Sequence, residues 1–251
     1  MNLLQYLPGN SVLHRLNPVT KLAAAFLLGI CAIVSQSVIF TTLLIVFLLG
    51  ICSLCGLGKR ALGLTKSLLV LGGISFALQL FFVRSGDPLL SAGEFTLITQ
   101  DGLSSAVLLG LRIIATMLPL MLLFAITEMN DLCGALVKRL HVPYRYAFIV
   151  TTAFRFVPLF TTEFHDIEDA QKARGVEYDG GLIKKLKLSV PLFVPLLMSS
   201  LKKVDAGAMS AQLRGFNLRT VSSGYREYPF TAADIGCISL SVLLIAVAAI
   251  V

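Results

Sequence analysis

Two arginines each stand immediately before a glycine at the end of a long stretch of helical periodicity, as Ala173-Arg174-Gly175 and Leu213-Arg214-Gly215. A guanidinium presents five donors in a fixed fork, which suits docking into an acidic groove of a partner. A lone arginine in the last turn of a helix does less, complementing the helix dipole by about 0.3–1 kcal/mol. Two such ends in one chain favour the docking chemistry, and the glycine after each suits the left-handed residue that closes a helix. Upstream of the second end, Ala206, Gly207, Ala208, Ser210 and Ala211 leave little side-chain bulk, a pattern that lets two helix backbones cross closely. Other reactive types are weaker candidates. Cys52 and Cys55 form C-x-x-C inside an apolar run, without a second pair to complete four zinc ligands, and read as small buried hydrophobes. His14, His141 and His165 are isolated from any carboxylate pattern and read as surface or interface histidines. Arg112 lies inside an apolar stretch, where an ionisable group is costly and must be paired or reach an interface; a part in coupling is the alternative. The Gly-Lys pair in CGLGKRAL (residues 55–62) lacks the spacing and the Ser or Thr of a phosphate loop. No catalytic, cofactor or metal site is expected.

The elements that must position these residues follow from composition. The chain has 251 residues, 56% hydrophobic and 14% charged, with no Trp, and a mean hydropathy of +0.85. Soluble domains carry about 25% charge, so lipid is the main solvent and a soluble enzyme is excluded. Five cysteines are too few and uneven for a disulfide scaffold, and the apolar content is too high for disorder. Met1 to Lys21 is polar and interrupted by proline, unlike a secretory signal. The net charge of +7 would raise nucleic acid in a soluble protein, but no basic patch interleaved with aromatics exists to bind it. Lys184, Lys185 and Lys187 instead suit anionic lipid headgroups, at about 1 kcal/mol per basic residue.

Leu22 to Gly58 holds no charged residue over 37 positions, which as one helix would span about 55 Å against a hydrocarbon core of about 30 Å. Two short spans, Leu22 to Val34 and Val38 to Leu57, must therefore turn at Ser35, Gln36 and Ser37. Further spans run Ser67 to Val83, Leu103 to Thr127 and Ala232 to Val251, five in all. His14, Arg15 and Lys21 precede the first span, and Lys59, Arg60 and Lys66 separate the second and third, so both segments belong in the cytoplasm. Arg84 to Gly102 sets one arginine against Asp87, Glu94 and Asp101 and belongs outside. The expected fold is thus an all-α integral membrane protein. It has a membrane domain of four helices over residues 1–127, a helical cytoplasmic domain over 128–231 and a last transmembrane helix over 232–251, with the N-terminus inside and the C-terminus outside.

The segment Glu128 to Thr231 carries 14 of the 21 basic residues, and is too long for a loop and too apolar for a linker. It reads as a short amphipathic helix, Glu128 to Leu140, and two long ones, Tyr144 to Arg174 and Leu182 to Arg214, broken at Tyr178, Asp179, Gly180 and Gly181. The long pair resemble each other: FVPLF (156–160) precedes AQKARG (170–175), and FVPLL (193–197) precedes AQLRG (211–215). In the first, Phe160, Phe164 and Ile167 form one apolar stripe; in the second, Leu197, Leu201, Val204, Ala208 and Ala211 do. The first stripe is expected to be buried, with the face opposite it wet. Arg155 falls near the start of the first long helix, as an anchor at the membrane surface.

Together with FRFVPLF (154–160) and QYLPGNSVLHRLNPVTK (5–21), the two Arg-Gly ends resemble the T component of energy-coupling-factor transporters, the CbiQ/EcfT family. The likeness covers most of the chain and is weakest across Ser67 to Gly102. The family carries two Ala-Arg-Gly motifs at the ends of two coupling helices; the first is matched here, and the second has Leu213 for Ala. The resemblance implies a bacterial cell-membrane scaffold without an active site or cofactor. Two ABC-type ATPases would receive the coupling ends at Ala173, Arg174, Gly175, Leu213, Arg214 and Gly215. A separate membrane protein, the S component, would bind the vitamin or metal ion and contact the small-residue face Ala206, Gly207, Ala208, Ser210 and Ala211. The alternative is a permease forming its own path, which requires polar or broken spans near the bilayer midplane; Arg112 alone fits that.

Overall fold

A computed structural model of the chain describes residues 11–54, 58–82, 88–92, 95–176, 181–220 and 223–250. Cys55, Arg84, Asp87, Glu94, Tyr178, Asp179, Gly180 and the stretch from Gln5 to Asn10 lie outside them. The helices are α1 (Val12–Arg15), α2 (Pro18–Val34), α3 (Val38–Leu54), α4 (Gly58–Phe82), α5 (Gln100–Ile126), α6 (Met129–Leu140), α7 (Tyr144–Ala173), α8 (Leu182–Leu213) and α9 (Ala232–Ile250). The chain divides into two compact units, Met1–Ala135 with Tyr228–Val251, and Leu136–Glu227.

In the first unit, α2 opens on Asn17, whose side-chain oxygen accepts from the Val19 N–H, with Pro18 at the first helical position, where its missing N–H costs nothing. The turn at residues 35–37 contains neither Gly nor Pro and is held from a distance. Arg112 of α5 donates from Nε to the Ala32 carbonyl at 3.2 Å and from Nη2 to the Ser35 carbonyl at 2.6 Å. A guanidinium thereby caps the C-terminal end of α2, satisfying carbonyls that the helix leaves free and complementing its dipole. Thr41, fully buried in the first turn of α3, donates from its hydroxyl to the Ser37 carbonyl at 2.9 Å.

Helices α4 and α5 approach backbone to backbone: a Cβ on Gly72 would lie 3.1 Å from the Gly110 carbonyl oxygen, and one on Gly110 3.2 Å from that of Gly72. In lipid, where burial of apolar surface gains nothing between helices, such close crossings supply the packing attraction. Around them Cys31, Leu44, Leu48, Leu68, Ile114, Leu118 and Ala248 form the core. Outward-facing Phe26, Ile39, Leu43, Val70 and Phe82 are exposed, as lipid contact requires.

At the opposite end of α2, a fully buried carboxylate ties two helix starts together. Asp234, in the first turn of α9, accepts from the Asn17 N–H at 2.9 Å, the Thr231 N–H at 2.8 Å and the Thr231 hydroxyl at 2.6 Å. Thr231 and Asp234 make a capping box, and the same carboxylate answers the positive end of α2. Asn17 also donates to the Tyr228 carbonyl at 2.9 Å, and buried Lys21 donates to the His14 carbonyl at 2.9 Å.

Two elements differ from expectation. Helix α4 begins at Gly58 rather than near Ser67, because Lys59, Arg60 and Lys66 fall among good helix formers and are carried within its first turns. The segment expected as an outside loop holds a hairpin, β1 (Pro88–Ala92) with β2 (Phe95–Thr99), antiparallel and irregular near Leu90. Pro88 opens its strand, a position that tolerates a missing donor, and Thr and Ile in β2 favour extended backbone.

By length and apolarity, α5, α7 and α9 can each cross a membrane. Pro18–Val34, Val38–Ser53 and Thr65–Leu80 are shorter apolar helices. The inclusion of α7, expected in the cytoplasm, comes from its N-terminal half. Residues 144–162 carry only Arg145 and Arg155, and the charges gather from Glu163 onward.

Candidate functional site: two arginine-glycine helix ends

Helices α7 and α8 of the second unit run antiparallel, since their contacts pair rising with falling residue numbers. Phe164 lies against Phe193, with centroids 6.4 Å apart. Glu163 accepts from Ser199 Oγ and from Lys203 Nζ, and beyond α8 Phe216 reaches Tyr144 and Phe148. Lys203, and then Ser199, hold the Glu163 carboxyl below the usual carboxylate range, because hydrogen bonds and a nearby cation favour its charged form. Near the end of α7, Lys172 pairs with Glu168 and Asp169, both at 3.0 Å, which pull its ammonium above its ordinary value.

Ala173 is the last helical residue of α7 and Arg174 the capping residue, at φ −86° and ψ 7°. Gly175 comes next at φ +87°. Its N–H donates to the Lys172 carbonyl at 2.9 Å, and the Val176 N–H donates to that of Gln171 at 3.1 Å. These are the two bonds of a Schellman close, which satisfies the final carbonyls and needs a residue without Cβ strain. Leu213 ends α8, Arg214 caps it at φ −84° and ψ 12°, and Gly215 turns left-handed at φ +72°. Its N–H donates to the Gln212 carbonyl at 3.0 Å.

Both motifs thus present an arginine at the same backbone geometry, and both arginines are exposed. Among the described residues neither guanidinium has an ion pair or side-chain hydrogen bond within the chain. The structure does not bring them together. Helix α7 has 30 residues, roughly 45 Å at 1.5 Å per residue, and the antiparallel pairing puts Arg174 and Arg214 at opposite ends of it. Two separate acceptors are therefore required for two docked arginines.

The small-residue face is open within this unit. Ala206, Gly207, Ala208 and Ser210 are exposed and Ala211 is half-buried; a Cβ on Gly207 would meet no atom within 4 Å. Among the described residues of this unit no helix crosses there, since α7 meets α8 earlier, near Phe193 to Lys203. The apolar α8 stripe is also open, with Leu197, Leu201 and Val204 at 60%, 59% and 47% exposure. The α7 stripe of Phe160, Phe164 and Ile167 is half-buried.

The remaining candidates separate cleanly. Arg112 donates from Nε and Nη2 to the α2 carbonyls, a capping role. His141 sits exposed at φ +54° between α6 and α7, a backbone position more than a chemical one. His14 is hydrogen-bonded to Ser11 at 2.7 Å, and His165 is 3.7 Å from Glu168. Arg155 and Lys187 are exposed. Sequence reasoning does not single out the aromatic contacts of Phe216 or the buried Asp234. For Asp234 the Thr-x-x-Asp spacing is the available signal.

The family model of CbiQ, described as cobalt transport protein, matches residues 9–223. Across 96% of its length the chain is 33% identical to the energy-coupling factor transporter transmembrane protein EcfT of Streptococcus equi subsp. equi, covering 92% of that protein. It is 30% identical to the protein of the same name from Bacillus subtilis, over 96% of this chain and 94% of the other. The Limosilactobacillus fermentum protein of that name is also 30% identical, over 96% and 92%.

Proposed function

The chain belongs to the CbiQ cobalt transport protein family, and from that membership we propose that it is the transmembrane coupling scaffold of an energy-coupling-factor importer. It is a transport component with apolar membrane helices, similar over nearly its full length to energy-coupling factor transmembrane proteins, and not a catalytic subunit. In this reading the scaffold carries motion from two cytoplasmic ABC-type ATPases to a substrate-binding S component that holds a vitamin or metal ion. Residues 1–127 and 232–251 form the membrane domain, with the N-terminus inside and the C-terminus outside. Residues 128–231 form the cytoplasmic coupling domain, with the apolar half of α7 lying along the bilayer surface and its charged half, from Glu163, turned to water.

The observation that carries this reading is the pair of matched, exposed arginine caps, unpartnered among the described residues and separated by the length of α7. Helix-dipole complementarity would be served by one arginine folded back on its own carbonyls. Two exposed forks at distant ends instead suit two acidic grooves, one on each ATPase, contacting Ala173, Arg174 and Gly175 at one end and Leu213, Arg214 and Gly215 at the other. The bare α8 face, with its small residues Ala206 to Ala211 and the apolar Leu197, Leu201 and Val204, is the surface an S-component helix would cover by close backbone crossing.

The test is the double substitution Arg174→Glu with Arg214→Glu. The variant should insert and stay folded but purify without its ATPases, each single substitution giving a partial loss. Retention of both ATPases at the parental ratio would sink the docking role.

A further inference from the structure

The two arginine ends share a backbone geometry but lead into different surroundings. After Arg174, Gly175 opens into free space, and a Cβ placed there would meet no atom within 4 Å. After Arg214, Gly215 starts a 3-10 turn, Phe216–Leu218, that carries Phe216 onto the first turns of α7. Its ring lies 4.8 Å from Phe148, edge-on, and 5.5 Å from Tyr144, and these two are themselves 6.1 Å apart. Arg219 closes the group: its guanidinium carbon sits 4.6 Å from the Tyr144 ring centroid, and Nη1 donates to the Tyr144 hydroxyl. Edge-on aromatic pairs and a cation over a ring each add attraction beyond area burial.

A pair of helices joined at one point can scissor about that point; a second attachment far from the first removes the freedom. Glu163 with Ser199 and Lys203 is one attachment, part-way along α7. The Tyr144, Phe148, Phe216 and Arg219 group is the other, at the start of α7. About 15–20 residues of α7 separate them, roughly 25 Å of helix. From this geometry we infer that the aromatic group is a clasp which makes α7 and α8 one stiff lever, so that displacement of the Arg214 end is delivered along α7 to the Arg174 end. Tyr144, Phe148, Phe216 and Arg219 are then positioning residues for Arg214. The consequence for transport rests on the coupling role proposed above; the stiffness of the pair does not.

The test uses the full chain in lipid nanodiscs, with its native cysteines replaced and spin labels at Ala170 and Met209, both exposed and close to the two ends. Pulsed electron-electron resonance should give one narrow label-to-label distance. Phe216→Ala should more than double its width, and Phe216→Tyr should restore it. Arg219→Ala, at an exposed position that cannot unfold the chain, should broaden it to a smaller extent. An unchanged width in both alanine variants would overturn the clasp. In complexes purified with the ATPases, added Mg-ATP should leave the label distance of the parent unchanged and shift it in Phe216→Ala. A shift in the parent would show that the ends scissor and would also overturn the inference. The first arm needs no partner, so its outcome is separate from that of the coupling reading, which fails instead if no ATPase accompanies the chain.

Discussion

The first unit and the insert differ in what becomes of the arginines and apolar faces that stand out in each, although the insert also pairs Glu163 with Lys203 and Lys172 with Glu168 and Asp169. In the first, Arg112 is spent on the carbonyls of Ala32 and Ser35, Asp234 on the starts of α2 and α9, and Lys21 on the His14 carbonyl. In the second, Arg174 and Arg214 stand exposed, and the apolar and small residues of α8 are bare. Groups in lipid have no water to satisfy them and must find partners inside the chain. The insert leaves its two arginine ends and the α8 face open, as the proposed docking of other subunits requires. In the proposed reading, the buried groups of the first unit serve its own fold and the exposed arginine ends of the insert serve coupling.

Substitutions should therefore divide by region. The largest effect is expected from Arg174→Glu with Arg214→Glu, which should remove nearly all ATPase association while leaving thermal unfolding in detergent within a degree or two of the parent, since exposed substitutions cost within about 0.5 kcal/mol. A matching loss of stability would erase the division between the two regions. Next, Asp234→Ala should destabilise the membrane unit by about 3 kcal/mol, because the buried Asn17 N–H and the part-buried Thr231 N–H lose a charged acceptor; chemical denaturation followed by helical dichroism reads this out. Arg112→Met keeps the apolar stem but strips the α2 cap, and should cost about 2 kcal/mol by the same assay. Neither should alter ATPase binding by the protein that remains folded.

Smaller effects lie within the insert itself. Gly175→Ala and Gly215→Ala each force a Cβ into left-handed backbone, at about 1–2 kcal/mol, and should weaken ATPase binding by misaiming the arginine before them. Amide exchange at residues 171–176 and 212–218 would show each helix end fraying. The smallest effect is one of pH. The Glu163 carboxyl is held below its ordinary value, so its link to Lys203 and Ser199 is fully present above the unfolded Glu value of about 4.3. It is lost as pH falls through the lowered folded value. Exchange near Phe164 and Phe193 should quicken on such acidification in the parent and be insensitive to it in Glu163→Gln.

Much of the helix order is legible in the sequence because punctuation is local. Pro143 stands before α7, Gly181 before α8, and Gly175 and Gly215 come after their ends, each acting through its own backbone preference. The turn at residues 35–37 is readable from length alone, but not what holds it, because Arg112 binds backbone carbonyls and a carbonyl has no residue type to recognise. The hairpin and the early start of α4 escape a reading that equates charge with loop. Periodicity in α8 correctly marks an apolar face at Leu197, Leu201 and Val204. It cannot say whether a covering element lies within the chain, since amphipathicity records what a face needs and not who supplies it. The clasp is hidden for a related reason: Phe216 and Tyr144 are far apart in sequence and meet only through the antiparallel pairing of α7 and α8.

The coupling role is decided by purifying the tagged chain from its native membranes in mild detergent and identifying its companions by mass spectrometry with their stoichiometry. Two ABC-type ATPases and at least one small substrate-binding membrane protein are expected for each copy of this chain. Recovery of the chain alone, or as a homo-oligomer that moves a solute in liposomes without ATPases, would contradict that role and return the two Arg-Gly ends to the status of helix caps.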